Sequence, residues 1–491
     1  MKLTFYIQYK TIFGEELVLN VVTPHTDATP QTVVPYRMST RDGLDWSYEL
    51  NISEPLPAFL EYFYSVESNR QEKCHEWTVV KHRVDLSVGK ASQFEIFDHW
   101  SNIPEDSYRY SAAFALDEPE AVGHCNKSGR IVRLIVRTPQ LVRGQRLHVV
   151  GSAKELGLWN LSKALPMVQH NYHEWVVDID ANRLQEETVE LKFVAKSQDG
   201  ILWEQGENRS IQILQKPANT VTVYTLSAAY FDLPNARVAG TLVPVFSLRT
   251  KGSFGVGDFG DLKTMIDYVA MTGQKALQVL PINDTTSTHT WTDSYPYSCI
   301  SIFALHPQYA DLRQLPPLAD EALNKKYEAL RCELNALPQI DYERVNQAKL
   351  EILRLLYEQE GKKMMAGKEF KTFFEDSRQW LVPYAFYCHL RDTNQLGKHP
   401  HWDEAYREKL VSMRTRIYKE VAFHYFVQFI LDRQMRAAHA HARQLGIILK
   451  GDIPIGVSRQ GCDVWVEPKY FNMNGQAGAP PDDFSEDGQN W

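Results

Sequence analysis

The sequence has little of what would place a chain outside the ordinary globular class. Its six cysteines, Cys74, Cys125, Cys299, Cys332, Cys388 and Cys462, are scattered through 491 residues without a CxxC pair. That argues against a disulfide framework and a zinc site, and for a reducing compartment. No run approaches the roughly 18 apolar residues of a membrane span, so no membrane partner is expected. The opening MKLTFYIQYK reaches Gln8, Tyr9 and Lys10 after a short apolar stretch with no small-residue cleavage site, and reads as a first strand rather than a signal peptide. A cytoplasmic location is the resulting expectation. A basic stripe is also missing, and the net charge of −8 opposes a nucleic-acid partner. The acidic residues are not spaced as a calcium loop, and no metal or organic cofactor is expected.

What is present is a multidomain composition. Hydrophobic content of 44% and charged content of 23% over 491 residues predict two to four domains with sizeable cores. Residues 1–103 are strand-like, with TFYIQY, LVLNVV, WSYELNI, FLEYFYSV and EWTVVKHRV broken by Pro, Gly and Asp clusters. Residues 104–129, rich in small and turn-forming types, read as a linker. Residues 130–228 repeat the strand pattern in RIVRLIVRT, QRLHVVGS, HEWVVDID, VELKFVAK and RSIQILQ, which predicts two tandem β-sandwiches derived by internal duplication. From about residue 238 apolar runs alternate with helical periodicity, the βα pattern of a parallel sheet or barrel. Residues 311–444 are helical in pattern and read as an insertion between two strands; their Met and aromatic residues read as helix packing.

The second sandwich carries a constellation of its own. Trp159 sits in GSAKELGLWN, after a strand, and Trp203 in GILWEQGENRS with Glu204, Asn208 and Arg209 close behind. Sugars present flat CH faces ringed by hydroxyls, so a site for them needs exposed aromatic planes with a few polar groups at the edge. Two indoles with Lys192 and Asn208 supply that set; the alternative reading puts both indoles in the core, where Trp175 in HEWVVDID is assigned. The pattern GSAKELGLWN…LKFVAKSQDGILWEQGENRS resembles the starch-binding domains of carbohydrate-binding module family 20. That resemblance implies that Trp159 and Trp203 stack on glucose rings, with Lys192, Glu204 and Asn208 at the polar positions. In the first sandwich the alignment sets Trp77 against Trp203, Arg83 against Arg209, His82 against Asn208 and Phe63 near Lys192, and predicts a retained fold with a degraded sugar site.

The third region contains GTLVPVFSLRTKGSFGVGDFGDL, KALQVLPIND, WTDSYPYSCISIFALHPQYADL and GIILKGDIPIGV…CDVW…PPDDFSEDGQNW, with DYERV and AFHYFVQFILDRQ between them. In this order the blocks resemble the 4-α-glucanotransferases (amylomaltases, disproportionating enzymes) of glycoside hydrolase family 77, closest to the type that handles maltose and large glucans such as starch and glycogen in the cytosol. The resemblance implies a (β/α)₈, TIM-type barrel and α-1,4-glucan substrates. It also implies that Tyr297 lines the donor subsite, that Asp452 contacts substrate hydroxyls, and that Asp482, Gln489 and Trp491 line the glucan groove. Read without it, Asp452 is equally a strand-end cap, and the last three are an ordinary polar loop.

Retaining transfer needs a carboxylate nucleophile and a carboxyl acid/base about 5 Å apart. In the resembled family both come from strands after the fourth block, and only three barrel strands are legible here, at about 241–246, 276–282 and 446–453. The expectation is therefore an incomplete barrel, C-terminally truncated, with no catalytic residue to assign and no activity of its own. Two classes remain open at this level: a 4-α-glucanotransferase, and a non-catalytic α-glucan-binding protein whose modules are the working part.

Overall fold

A computed structural model describes residues 1–490 apart from 24–31, 55, 89–90, 112–113, 115–128, 143, 172 and 234–236. The chain divides into two compact units, Met1–Ala236 and Arg237–Trp491.

The first unit holds two copies of one nine-strand plan. Module one runs β1 (Lys2–Gln8), β2 (Glu15–Thr23), β3 (Thr32–Arg37), β4 (Ser39–Thr40), β5 (Asp45–Asn51), β6 (Phe59–Ser68), β7 (Gln71–His75), β8 (His82–Asp85) and β9 (Gln93–His99). Module two repeats it as β10 (Arg130–Arg137), β11 (Arg146–Gly151), β12 (Leu165–Pro166), β13 (Val168–Asn171), β14 (Glu174–Asp180), β15 (Thr188–Ser197), β16 (Gly200–Trp203), β17 (Arg209–Gln212) and β18 (Thr220–Leu226). Alternation is plain in β1, where Leu3, Phe5 and Ile7 point into one core while Thr4, Tyr6 and Gln8 point away from it; β10, in the middle of the joint sheet, is buried on both faces.

The modules are not separate beads. β9 and β18 pair in parallel, from Thr220↔Gln93 to Tyr224↔Phe97, and fuse the halves into one eight-stranded sheet of order β13-β14-β10-β18-β9-β1-β5-β4. That order reads the same module plan outward from its centre, a pseudo-twofold. Parallel pairing about such an axis turns the two halves to opposite faces, and the cores obey. Leu3, Phe5 and Phe94 pack on one face with Val221 and Val223, whereas Val132, Leu134 and Trp175 pack on the other with Tyr224. Tandem sandwiches on a linker were expected; the finding is a single fused body. Of the expected linker, residues 104–111 are described, and a short turn at Ser107–Tyr110 sets Tyr110 edge-on to Trp77 at 5.1 Å. Most of its remainder, with Cys125, lies outside the described residues.

In the second unit β19 (Gly240–Leu242), β20 (Ala276–Gln278) and β21 (Ile448–Lys450) form a parallel sheet in that order. Helix α1 (Phe259–Met271) links the first two strands, and Asp258 caps it by accepting from Gly260 and Asp261. The cap is tied to a buried ionic hub. Arg313 donates to Asp258 at 2.7 Å and to Asp311 at 2.6 Å. The wholly buried Lys349 donates to the carbonyls of Gln308 and Ala310. Burial pushes the Asp258 carboxyl up to about 6.

Between β20 and β21 lie α2 (Glu321–Asn335), α3 (Tyr342–Leu356), α4 (Lys362–Ala366), α5 (Lys368–Asp392), α6 (Arg407–Val411) and α7 (Arg416–Gln444), followed beyond β21 by α8 (Cys462–Val466). The wide helix α7 packs Phe426, Val427 and Ile430 on the sheet side and Tyr425 and Phe429 against α5. Gly446, at φ +68°, ends it in the left-handed turn that glycine tolerates. No helix among the described residues is long and apolar enough to cross a membrane.

Candidate functional site

Most of the residues singled out from the sequence fall in two clusters, one in each unit.

In the second unit, β20 and β21 are neighbours in parallel register, Ala276↔Ile448 to Gln278↔Lys450, so the segments leaving their carboxyl ends emerge side by side. That end is where open parallel sheets place ligands. The segment after β20 is shaped by two buried carboxylates. Asp284 accepts from the Tyr384 hydroxyl at 2.6 Å and from the Thr286 amide at 2.9 Å. Asp293 gathers the amides of Ser287, Thr288 and His289 at 3.1, 2.9 and 2.7 Å. Such a carboxylate satisfies donors that a loop would otherwise leave buried and unpaired. The loop so held presents Trp291 and Tyr295, both exposed, and Tyr297, whose ring centroid lies 5.7 Å from that of Tyr295.

From there the Tyr297 hydroxyl donates to Asp452 Oδ2 at 2.7 Å, joining segments 155 residues apart. The other carboxylate oxygen accepts the amide of Ile453 at 2.9 Å. The hydrogen bond to Asp452, aided by burial, raises the Tyr297 phenol to about 12, so it stays a donor at neutral pH. A second tie, from the Ile302 amide to Asp463 Oδ2 at 2.6 Å, fastens α8 to the same loop.

Asp482 and Gln489 stand on a separate hairpin, in which β22 (Gly478–Ala479) pairs with β23 (Gln489–Asn490). Both side chains are exposed, and Asp482 spends its Oδ1 on the amides of Phe484 and Ser485. Trp491 lies outside the described residues.

In module two, Trp203 is 41% exposed and sits directly across from Val194. Val194 belongs to a small outward cluster against which Trp159 packs, so both indoles share the outer face of the β15 sheet. Leu158 and Trp159 hold φ of +50° and +63°, a left-handed conformation that non-glycine residues adopt at a cost of about 1–3 kcal/mol, of the kind concentrated at binding sites. Lys192 stretches to the Gly206 carbonyl at 2.6 Å, and the exposed Asn208 reaches Glu190 at 3.4 Å. Trp175 is fully buried. Glu204 is a correction: it is only 4% exposed, lying beneath the face and accepting from the Phe193 amide at 2.8 Å and from Arg209 at 2.9 Å. It holds the strands together and offers the surface nothing.

The same frame corrects module one. There the Tyr64 amide donates to Glu76 at 2.8 Å, and Glu76 in turn contacts His82 at 3.1 Å. Strand register sets Tyr62 opposite His82 as Leu191 stands opposite Arg209, and Ser65 opposite His75 as Val194 stands opposite Trp203. Thus Glu76 matches Glu204, His82 matches Arg209, and His75, not Trp77, occupies the place of Trp203. Phe63 does stand at the Lys192 position. Matching arginine to arginine shifted the alignment by one residue at His82 and by two at His75; the strand pairing, invisible in sequence, decides otherwise.

Comparison with known proteins finds matches in both units. Residues 131–223 match the starch binding domain of carbohydrate-binding module family 20, and residues 243–491 match glycoside hydrolase family 77, described as 4-alpha-glucanotransferase. The 4-alpha-glucanotransferase DPE2 of rice is 36% identical over 369 residues, covering 74% of this chain and 39% of the rice protein. A 4-alpha-glucanotransferase of Chlamydia muridarum is 34% identical over 255 residues, covering 51% of this chain and 47% of its own. An amylomaltase from Streptococcus agalactiae, solved in complex with acarbose, aligns with a TM-score of 0.40 at 24% identity over 52% of each chain. This chain thus spans about half or less of the length of the curated relatives it matches. With the family match covering a little over half of its residues, the chain belongs to glycoside hydrolase family 77, the 4-α-glucanotransferases.

Proposed function

We propose that the whole protein transfers α-1,4-glucan segments between maltooligosaccharides, or to starch- and glycogen-type acceptors, and that this chain supplies its glucan-holding surfaces. The family match supports transfer over binding alone. The observation that carries the site is the Tyr297–Asp452 hydrogen bond at 2.7 Å, at the carboxyl ends of adjacent parallel strands. A tyrosine kept protonated there fixes a carboxylate in the geometry to accept sugar hydroxyls, with Tyr295 and Trp291 as aromatic surfaces beside it. Asp482, Gln489 and Trp491 extend this groove in the reading adopted, and the parallel sheet is part of a (β/α)₈ barrel. Asp452 is a binding residue, not the nucleophile: both of its oxygens are already engaged, and the retaining couple belongs to other carboxyl groups of the whole protein.

Module two is the starch-binding surface, through Trp159, Trp203, Lys192 and Asn208, and module one is the weaker binder. The setting is cytoplasmic, with maltose-derived glucans as substrates, no cofactor and no nucleic-acid partner.

The test is disproportionation of maltotriose by the whole protein. Tyr297→Phe removes one donor and should cost about 0.5–1.5 kcal/mol in kcat/KM, chiefly through KM. Asp452→Ala should cost more. Equal activity of both variants and the parent would remove this site from the reaction.

A further inference from the structure

The pseudo-twofold of the first unit makes two seams, and they are not alike. On one side the outward face of module two is filled. Arg133, 2% exposed, pairs with Asp178 at 2.8 Å and reaches Asp85 of module one at 4.0 Å, while Ile131, Ile135 and Val176 sit within the core of module one. On the other side, the outward face of module one is hollow among the described residues. Two cavities of about 450 and 750 Å³ lie there, and they share His99, Thr225, Leu226 and Ser227, so they adjoin along one line.

Their lining is aromatic at both ends. The smaller cavity holds Trp77 and Trp100, both half-buried, with Tyr110 edge-on to Trp77. The larger has a cross-strand stack as its floor, Tyr6 on Phe97 at 4.7 Å and Phe97 on Tyr224 at 5.0 Å. Between these lie the neutral groups of Asn102, Gln8, Ser210 and Ser227, together with Asp45, which accepts from Gln8 at 2.8 Å, Asp98, which accepts from the Tyr62 and Tyr64 hydroxyls, and His99, 3.0 Å from the Thr225 carbonyl. The two guanidinium groups at the seam are already paired, Arg137 with Glu174 at 3.4 Å and Arg209 with Glu204 at 2.9 Å. Among the described residues the seam therefore offers no uncompensated cation to a phosphate or a carboxylate.

Aromatic planes edged by neutral hydrogen-bonding groups suit a polyhydroxylated, uncharged ligand. Each cavity lies within the roughly 300–1,000 Å³ of small-ligand sites, and their shared residues favour an elongated occupant. We propose that this seam binds an α-glucan chain at a site that exists only where the two modules join. The choice of a glucan among neutral saccharides rests on the starch-binding reading of module two, whose strand β17 forms one wall through Arg209 and Ser210. Trp77, which the sequence set against Trp203, takes its place here instead.

The experiment uses the full chain carrying Trp159→Ala, Trp203→Ala and Asp452→Ala, titrated with maltoheptaose and read by calorimetry and by amide hydrogen exchange. One saturable site should remain, with slowed exchange in residues 97–104 and 225–230. Adding Trp100→Ala should weaken it about tenfold, the loss of an aromatic anchor. Adding Ser227→Trp, at an exposed residue common to both cavities, should abolish it. Unchanged exchange at 97–104 and 225–230 in both this variant and the parent overturns the proposal, as does protection there that survives Ser227→Trp. Protection at residues 192–208 in the parent reports the starch site separately: its presence with a silent seam sinks the seam alone, and its absence removes the starch-binding reading.

Discussion

Modules one and two share strand order, register and a buried glutamate that ties a β-strand amide to a cation, yet they spend that plan differently. In module two the cation is Arg209, partly exposed, and the face above it carries Trp203 and Lys192. In module one it is His82, fully buried between Glu76 at 3.1 Å and Asp98 at 3.6 Å, with Tyr62 and Tyr64 donating to the same Asp98 at 2.9 and 2.8 Å. The face above is Phe63 and His75, ring to ring at 6.2 Å. The two modules thus share the bond that closes the sandwich and differ in the side chains on the outer face above it.

The largest effect should come from breaking the glutamate in each module. Glu76→Ala leaves His82 and the amides of Tyr64 and Ser101 without their carboxylate in a dry site, and should cost about 3–5 kcal/mol of unfolding free energy. Glu204→Ala should cost less, because Arg209 keeps its bonds to the carbonyls of Ser227 and Ala228. Chemical denaturation of the full chain checks this; equal losses would mean that the two cations are equivalent after all.

Next in size is binding. Trp203→Ala should weaken soluble starch or cyclodextrin by more than about 1 kcal/mol, and His75→Ala should leave it unchanged, by calorimetry on the full chain. A comparable loss from His75 would show that module one has retained its sugar face.

A smaller effect is expected from pH. Burial opposes a charge on His82, but the Glu76 and Asp98 carboxylates outweigh it and hold the imidazole above its ordinary range. The pair is therefore fully stabilising below about 6.5, the unfolded histidine value, and its contribution is lost as pH rises through the higher folded value. On the acid side, burial again opposes, but His82 and the amides of Tyr64 and Ser101 keep Glu76 below its ordinary range, and that contribution fades as pH falls through the lowered value. Arginine does not titrate in this range. The melting temperature of the parent should decline between about pH 6 and pH 9, and His82→Gln should flatten the decline. A parallel decline in that variant would assign the pH dependence elsewhere.

The smallest effect is a gain. His75→Trp restores an indole to the outer face of module one without its partner on the loop after β2, and should raise glucan affinity by less than Trp203→Ala lowers it. Calorimetry in the Trp203→Ala background reads it directly.

Local order was legible in the sequence because it obeys short periods. The alternation in TFYIQY, the helical spacing of AFHYFVQFILDRQ and the core position of Trp175 follow from side-chain direction alone. Block matches assigned Tyr297 and Asp452 to one glucan groove, and the structure joins the two side chains by a 2.7 Å hydrogen bond. What could not be read was pairing across distance. Nothing in Gln93–His99 or Thr220–Leu226 announces that these strands lie side by side, and nothing in ENRS against KHRV says that a histidine stands in for an arginine. Glu204 looked like a surface acid because its neighbours are polar; a strand that dives one residue earlier buries it. Asp284 and Asp293, which shape the Tyr297 loop, carried no signal beyond a run of threonines.

The parallel seam between β9 and β18 bears on how this molecule can be taken apart. A border that is plain in the sequence near residue 104 crosses no hinge: the central sheet passes unbroken over it. Excising either module would leave a bare strand with Val221 and Val223, or Phe94 and Ile96, turned to water along an open edge, the kind of edge that recruits other chains. The two copies therefore share one sheet and part of one core, and each covers apolar surface that the other would otherwise expose.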